Sequence, residues 1–121
     1  MSNSLELRTN SAVVEIGGTA YQLDFDPQAL SFAEQVYEDE YDKDVNAAVI
    51  IQEVFSAKMS AVSAIIYGAL RSAGNKILWK AFTKTIFTYD HFDTLLDAAM
   101  RGIDSMMPRS TAPVEEADPK N

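Results

Sequence analysis

The chain has 121 residues, 47% of them hydrophobic, and no cysteine. That length suits one domain with a core able to stand without staples, and the missing thiols exclude disulfides and thiolate chemistry. A formal net charge of −8 works against sequence-independent binding to nucleic acid, whose phosphates would be repelled. The charge is uneven: Val54 to Tyr89 holds Lys58, Arg71, Lys76, Lys80 and Lys84 but no Asp or Glu. Such a block is either a solvated face or a guide to self-association.

The first residues, MSNSLELRTNS, are polar and unpatterned, without the basic start and apolar run of a signal peptide. They read as a loose arm on a cytoplasmic protein. AVVEIGGTAYQLDF follows, two runs of β-formers around Gly17-Gly18, and a Gly-Gly pair supplies the positive φ angles of a two-residue hairpin turn. The turn sets Ile16 opposite Thr19, Val14 opposite Tyr21 and Ala12 opposite Leu23. Val14, Ile16, Tyr21, Leu23 and Phe25 then share one face. An isolated hairpin is barely stable, so that face must be covered, while the outer edges stay open to another chain.

Asp26-Pro27 predicts an N-cap and a first-turn proline, with Ala29, Phe32, Ala33 and Val36 facing inward. The acidic run EDEYDKD (Glu38 to Asp44) should end this helix in solvent. Ala48, Ile51 and Phe55 are spaced for a second helix, and Ser56 and Ser60 suggest a break before the third; one rod from Val45 to Ala73 is the alternative. MSAVSAIIYGALRSA, from Met59, is the most strongly patterned stretch. Val62, Ile65, Ile66, Ala69 and Leu70 form its apolar face, Ser60 is a candidate cap and Gly74 a candidate left-handed terminator. It is too short for a membrane span of about 20 residues and reads as the central core helix. Next, Lys76, Lys80 and Lys84 line one side of a short helix, and Ile77, Leu78, Ala81 and Phe82 the other. Thr88 or Asp90 should start the last helix, with Phe92, Leu95, Leu96, Ala99, Ile103 and Met106 as its stripe and Asp97–Arg101 as a surface pair.

The expected class is therefore mainly α (α+β): an N-terminal two-stranded hairpin on a compact bundle of about four to five helices. Residues 1–11 form the arm and 12–107 a single domain, with the hairpin at 12–25 and helices at about 27–38, 45–57, 59–73, 77–85 and 89–107. Residues 108–121, acidic and Pro-containing, are predicted to be disordered.

No reaction emerges from the side chains. Asp42, Asp44, Asn46 and Glu53 hold the first, third, fifth and twelfth places of a calcium loop, but Ala47 stands where the sharp turn needs glycine. An acidic turn leading into a helix is the better reading. His91 is the only histidine, Asp90, Asp93 and Asp97 suit a helix start, and Gly17-Gly18 has no phosphate-binding helix after it. No catalytic residue, cofactor site or metal site is expected. Tyr21, Trp79, Phe82 and Phe87 are the candidate protein-contact residues, chosen for their chemistry at the hairpin and in the aromatic stretch.

Three stretches carry a family likeness. EIGGTAYQLDFDPQAL, MSAVSAIIYGALR and TYDHFDTLLDAAMRGIDSM, in that order, resemble the opening hairpin, middle helix and final capped helix of the tail assembly chaperones of long-tailed (siphovirus-type) phages. The resemblance spans roughly residues 13–107; Lys76 to Phe87 is longer and more aromatic than the family pattern. It implies a non-enzymatic protein that binds the tape-measure protein and helps recruit tail-tube subunits. It also implies a place in the cytoplasm of the infected host and not in the mature virion. Homo-oligomers are compatible, with no nucleic-acid or membrane partner. An acidic DNA-mimic inhibitor and a structural head–tail connector component are the competing classes.

The family resemblance further implies two product lengths through a programmed frameshift. Asp118-Pro119-Lys120 permits the codons GAC-CCA-AAA, on which two tRNAs re-pair after slipping back one base. Reading the natural coding sequence and weighing the untagged products checks this: the slippery run and a second, longer product are expected.

Overall fold

The structure, a computed structural model, describes residues 10–107; the expected N-terminal arm, apart from Asn10 and Ser11, and the expected C-terminal tail lie outside the described residues. Strands β1 (Asn10–Ile16) and β2 (Thr19–Phe25) form one antiparallel two-stranded sheet. Ile16 pairs with Thr19, Val14 with Tyr21 and Ala12 with Leu23, as the turn length requires. Gly17 and Gly18 hold φ of 59° and 83°, a region open to glycine at little cost. Val14, Ile16, Leu23 and Phe25 are buried on the inner face, and Tyr21 is half-buried.

Five α-helices follow: α1 (Pro27–Tyr41), α2 (Ala47–Phe55), α3 (Met59–Ser72), α4 (Trp79–Thr85) and α5 (Phe92–Met106), the last preceded by a 3-10 turn at Tyr89–His91. The expected mainly α class, with a hairpin on a helical bundle, is therefore the observed one. Helix α3 is its axis: Ala61 to Ile66 and Gly68 to Leu70 are all buried. Helix α1 lies along it, and Ala29 and Ala33 on α1 are small enough for a near approach. At Gly68 the helices come so close that a Cβ would strike the Ala29 carbonyl. Gly102 does the same for the hairpin, because the Phe25 ring occupies the space a side chain there would need.

Polar pins fix the ends of the α1–α3 pair. Asp26 caps α1 by accepting from the Ala29 N–H at 2.8 Å, and it also accepts from the Ser72 hydroxyl at 2.7 Å at the far end of α3. The carboxylate accepts this hydrogen bond without taking up the proton, and it thus joins a helix start to a helix end.

The structure corrects several local expectations. Helix α1 does not stop in the acidic run but continues to Tyr41. The Tyr41 hydroxyl lies 2.9 Å from Ser63 Oγ, and its ring meets Tyr37 and Trp79, so the last turn has partners inside the fold. Glu38, Asp39 and Glu40 simply point outward, and Asp42 ends the helix at φ 55°. Helix α2 buries Ile50 and Val54; Ala48 is exposed, Ile51 half-buried and Phe55 50% exposed. Its short apolar run offers two stripes, and docking against α3 selects the one that carries Ile50 and Val54.

The two-helix reading holds over the single rod, for the chain bends by 117° between α2 and α3. Ala57, at φ 60°, makes the corner. Lys58, not Ser60, is the α3 N-cap, and Ser60 sits one residue inside the helix. Gly74 follows α3 at φ 94°. Helix α4 turns Trp79, Phe82 and Ile86 inward, whereas Leu78 is 72% exposed and Ala81 is exposed. The Tyr67 hydroxyl donates to the Ile77 carbonyl at 2.8 Å, which ties Ile77 to α3 ahead of the helix. Thr88 precedes α5 without a side-chain cap; its Oγ1 lies 3.0 Å from His91 Nδ1. On α5, Leu95, Ala99, Ile103 and Met106 are buried, Phe92 and Leu96 are half-buried, and Arg101 pairs with Asp97 at 2.9 Å.

Two substitutions probe the axis. Ile66→Ala should leave a cavity and cost about 2–5 kcal/mol. Gly68→Ala adds one methyl group and should cost at least about 1–3 kcal/mol, because backbone must move to admit it. Chemical denaturation measures both; a neutral Gly68→Ala would mean that α1 does not rest on α3 at this point.

Candidate protein-contact surfaces

Seven aromatic rings, far apart in the chain, make one run through the helical end of the molecule. Tyr37 meets Tyr41 with centroids 5.7 Å apart, Tyr41 meets Trp79 at 6.0 Å, and Trp79 meets Tyr67 at 5.2 Å. Phe82 lies against Tyr67 and Trp79 at 5.1 and 5.4 Å, then Phe87 at 5.9 Å, and Phe87 passes the run to Phe92 at 6.0 Å. Most of these are edge-on or tilted pairs, which set ring hydrogens against a neighbour's π face.

Where the run reaches the surface it walls a cleft of about 210 Å³, lined by Phe32, Gln35, Val36, Asp39, Glu40, Tyr67, Arg71 and Trp79. Arg71 lies over two of its walls, with its guanidinium carbon 5.7 Å from the Phe32 ring centre and 5.9 Å from that of Tyr67. Such cation–π contacts hold the charge without removing it from water. Asp39 and Glu40 give another part of the rim the opposite sign. The cleft therefore combines an aromatic wall with a cation and two acids, a surface able to receive an apolar side chain flanked by charge.

Across the outer face of α1 is a shallower, polar hollow of about 560 Å³, lined by Ser31, Glu34, Gln35, Glu38, Asp44, Val45 and Asn46. Glu34 spans it by accepting from the Ala47 N–H at 2.7 Å, which ties α1 to the start of α2. Three of the four residues of the calcium pattern are occupied elsewhere, and Asp44 lines this hollow. Asp42 ends α1, Asn46 caps α2 by accepting from the Val49 N–H at 3.2 Å, and Glu53 faces Tyr37 and Lys58. Among the described residues no group of three or more His, Cys, Asp or Glu is placed to hold a metal. No single helix among them is long and apolar enough to cross a membrane.

Of the four sequence-predicted contact residues, Trp79 lines the cleft and Phe87 is half-buried further along the run. Phe82 is fully buried against the Tyr67 and Trp79 rings, so it supports the cleft's wall from within and offers no surface itself. Tyr21 is on the hairpin, half-buried, and shares no ring contact with the others. Sequence reasoning missed Phe32, assigned to the core, and the pair Tyr67 and Arg71. A signal for that pair existed: on α3 they are large amphipathic residues one turn apart, in a helix otherwise built from small and aliphatic side chains.

Behind the run lies a polar junction of α1, α2 and α3. The Tyr37 hydroxyl donates to Glu53 at 2.6 Å and lies 3.2 Å from Ser60 Oγ, while Lys58 donates to the other Glu53 oxygen at 3.2 Å. Burial, then the hydrogen bond to Glu53, pushes the Tyr37 pKa up to about 12. The same bond, aided by Lys58, holds the Glu53 carboxyl below its usual value against the opposing effect of burial.

Comparison with protein-family models, with curated proteins and with solved structures finds no match for this chain.

The junction makes stability depend on pH in a stated direction. Glu53 is lowered in the fold, so its contribution is complete above the unfolded carboxylate pKa and is lost as pH falls through the folded one. Thermal melts of wild type and Glu53→Gln should therefore converge toward acid. Tyr37 works in the opposite sense: its contribution is complete below its ordinary value of 10.0 and lost as pH rises toward about 12. Tyr37→Phe should flatten that alkaline limb. Parallel pH profiles for wild type and both variants would show that the junction is not coupled to folding.

Proposed function

We propose that this chain is a tail assembly chaperone of a long-tailed phage, a protein-binding module and not a catalyst. It holds the tape-measure protein during tail morphogenesis and helps recruit tail-tube subunits, in the cytoplasm of the infected host, and leaves before the virion is complete. The observation that carries this reading is the aromatic cleft: Phe32, Tyr67 and Trp79 stand at the surface, half-buried, beside Arg71, Asp39 and Glu40. A client helix presenting an apolar side chain would bury it there, and the charges alongside would set its orientation.

Two further features support the reading. The order of elements, from the glycine-turn hairpin through the Asp-Pro-capped helix and central helix to the last helix, is the one on which the family resemblance rests. The chain's net charge of −8 would also keep a chaperone–client assembly dispersed while apolar client surface is covered.

The experiment is co-expression with the tape-measure protein of the same phage, followed by co-purification and a fluorescence titration. Trp79 is the only tryptophan in the chain, so its emission reports on the cleft directly. A stable complex is expected, with a saturable change in Trp79 emission and affinity lowered at least about tenfold by the rim variant Asp39→Lys/Glu40→Lys. Purified virions should lack the chain. Its retention in virions would indicate a connector component, and binding to a basic nuclease in place of the tape-measure protein would indicate a DNA mimic.

A further inference from the structure

Among the described residues the sheet has two strands, so each strand has an outer edge there. In a hairpin closed by a two-residue turn, the flanking pair Ile16–Thr19 exchanges both hydrogen bonds, and such pairs then alternate along the ladder. Val14 and Ala12 thus bond inward to β2, whereas the N–H and C=O groups of Ser11, Val13 and Glu15 point outward. Among the described residues these outward groups have no other backbone partner. Val13, at the middle of the edge, is 71% exposed although its neighbours Ala12 and Val14 are covered. Beneath the edge lies a groove of about 200 Å³ between β1 and α5, with Ala12, Val14, Leu23, Ala98 and Gly102 among its walls and Asp97 and Arg101 beside them.

We propose that this edge pairs antiparallel with the same edge of a second copy of the chain, about a two-fold axis through Val13. The occupant follows from the strand's own order. Centred there, Val13 faces Val13 of the second copy, Ser11 faces Glu15, and Ala12 faces Val14. No like charges stand opposite one another, and the outward hydrogen-bonding groups of both copies are satisfied. On the inner face, Ala12 and Val14 of each copy extend the apolar layer into the groove beside the other. Along its wall, Asp97 and Arg101 are already paired with each other at 2.9 Å, so the pair brings no net charge to the seam.

The β2 edge fits less well. Its central side chain, Gln22, already donates to Asp24 at 2.9 Å, and Asp24 also accepts from Ser11 at 2.8 Å. The groove wall along α5 lies beside β1 and includes no β2 residue except Leu23. The result is a four-stranded sheet across a symmetric dimer. This association stands or falls independently of client binding.

Salt tests the mode. Pairing two chains of net charge −8 through an uncharged strand centre should strengthen as salt screens their repulsion. Docking between the basic block and an acidic surface would weaken instead.

The decisive experiment uses the absence of cysteine in the full chain. Val13→Cys places two thiols on adjacent strands at a Cα separation of about 5.5 Å, within the span a disulfide bridges. Mild oxidation, or a short bis-maleimide, should give a covalent dimer of Val13→Cys and leave the β2-edge control Gln22→Cys monomeric. In sedimentation, wild type should show a concentration-dependent dimer that tightens with salt. Val13→Lys should weaken it at least about tenfold while leaving the melting temperature of the monomer unchanged. A wild-type monomer at every concentration, a dimer that loosens with salt, or equal cross-linking of Gln22→Cys would overturn the proposal.

Discussion

Everything in this fold rests on how closely α1 approaches α3. Ala29 and Ala33 face a stretch of α3 in which Gly68 has no room for even a methyl group beside the Ala29 carbonyl. Close backbone approach maximises dispersion contacts per residue and leaves little freedom of tilt. Because α1 is fixed, its acidic outer face, its aromatic inner turn and its capping aspartate are fixed with it. Asp26 makes the arrangement reciprocal, since the residue that starts α1 also takes a hydrogen bond from the last residue of α3.

The remaining elements are positioned from that pair by two different kinds of interaction. On one side the hairpin packs through shape alone: Leu23 and Phe25 enter the core, and the Phe25 ring fits because residue 102 is glycine. On the other side α2 buries Ile50 and Val54 and adds polar groups, with Tyr37, Glu53 and Ser60 joined at the corner where the chain bends by 117° between α2 and α3. A buried phenol beside a carboxylate is safe only when each satisfies the other, and here the 2.6 Å bond does so. The charge it leaves on Glu53 is shared with Lys58 at 3.2 Å at the surface.

The two surfaces read as contact sites follow from the same economy of a small domain. With α3 covered on nearly every side, the large side chains Tyr67 and Arg71 have nowhere to go but the gap between α1 and α4, where they meet Trp79 and Phe32. Among the described residues the hairpin's two strands cover their inner face and leave Val13 outside. A cleft suited to a client side chain and an edge suited to a second copy therefore lie on different elements, and both can be engaged at once. In the chaperone reading, that separation would let a dimer present two client clefts.

Local chemistry alone determined the hairpin with its register, the Asp26-Pro27 helix start, the apolar stripe of the last helix and the identity of α3 as the axis. Each of these depends on residues within a few positions of one another: the Gly17-Gly18 turn counts the register, and a cap or stripe is written in adjacent turns. Only the tertiary structure decided which stripe of α2 faces inward, that α1 runs on through Glu38–Glu40 to Tyr41, and that Phe82 supports the cleft's wall from within and is not on its surface. The physical reason is common to all three. Ile50, Tyr41 and Phe82 take their environment from partners distant in the chain, and a short amphipathic segment offers more than one face until a neighbour is docked against it.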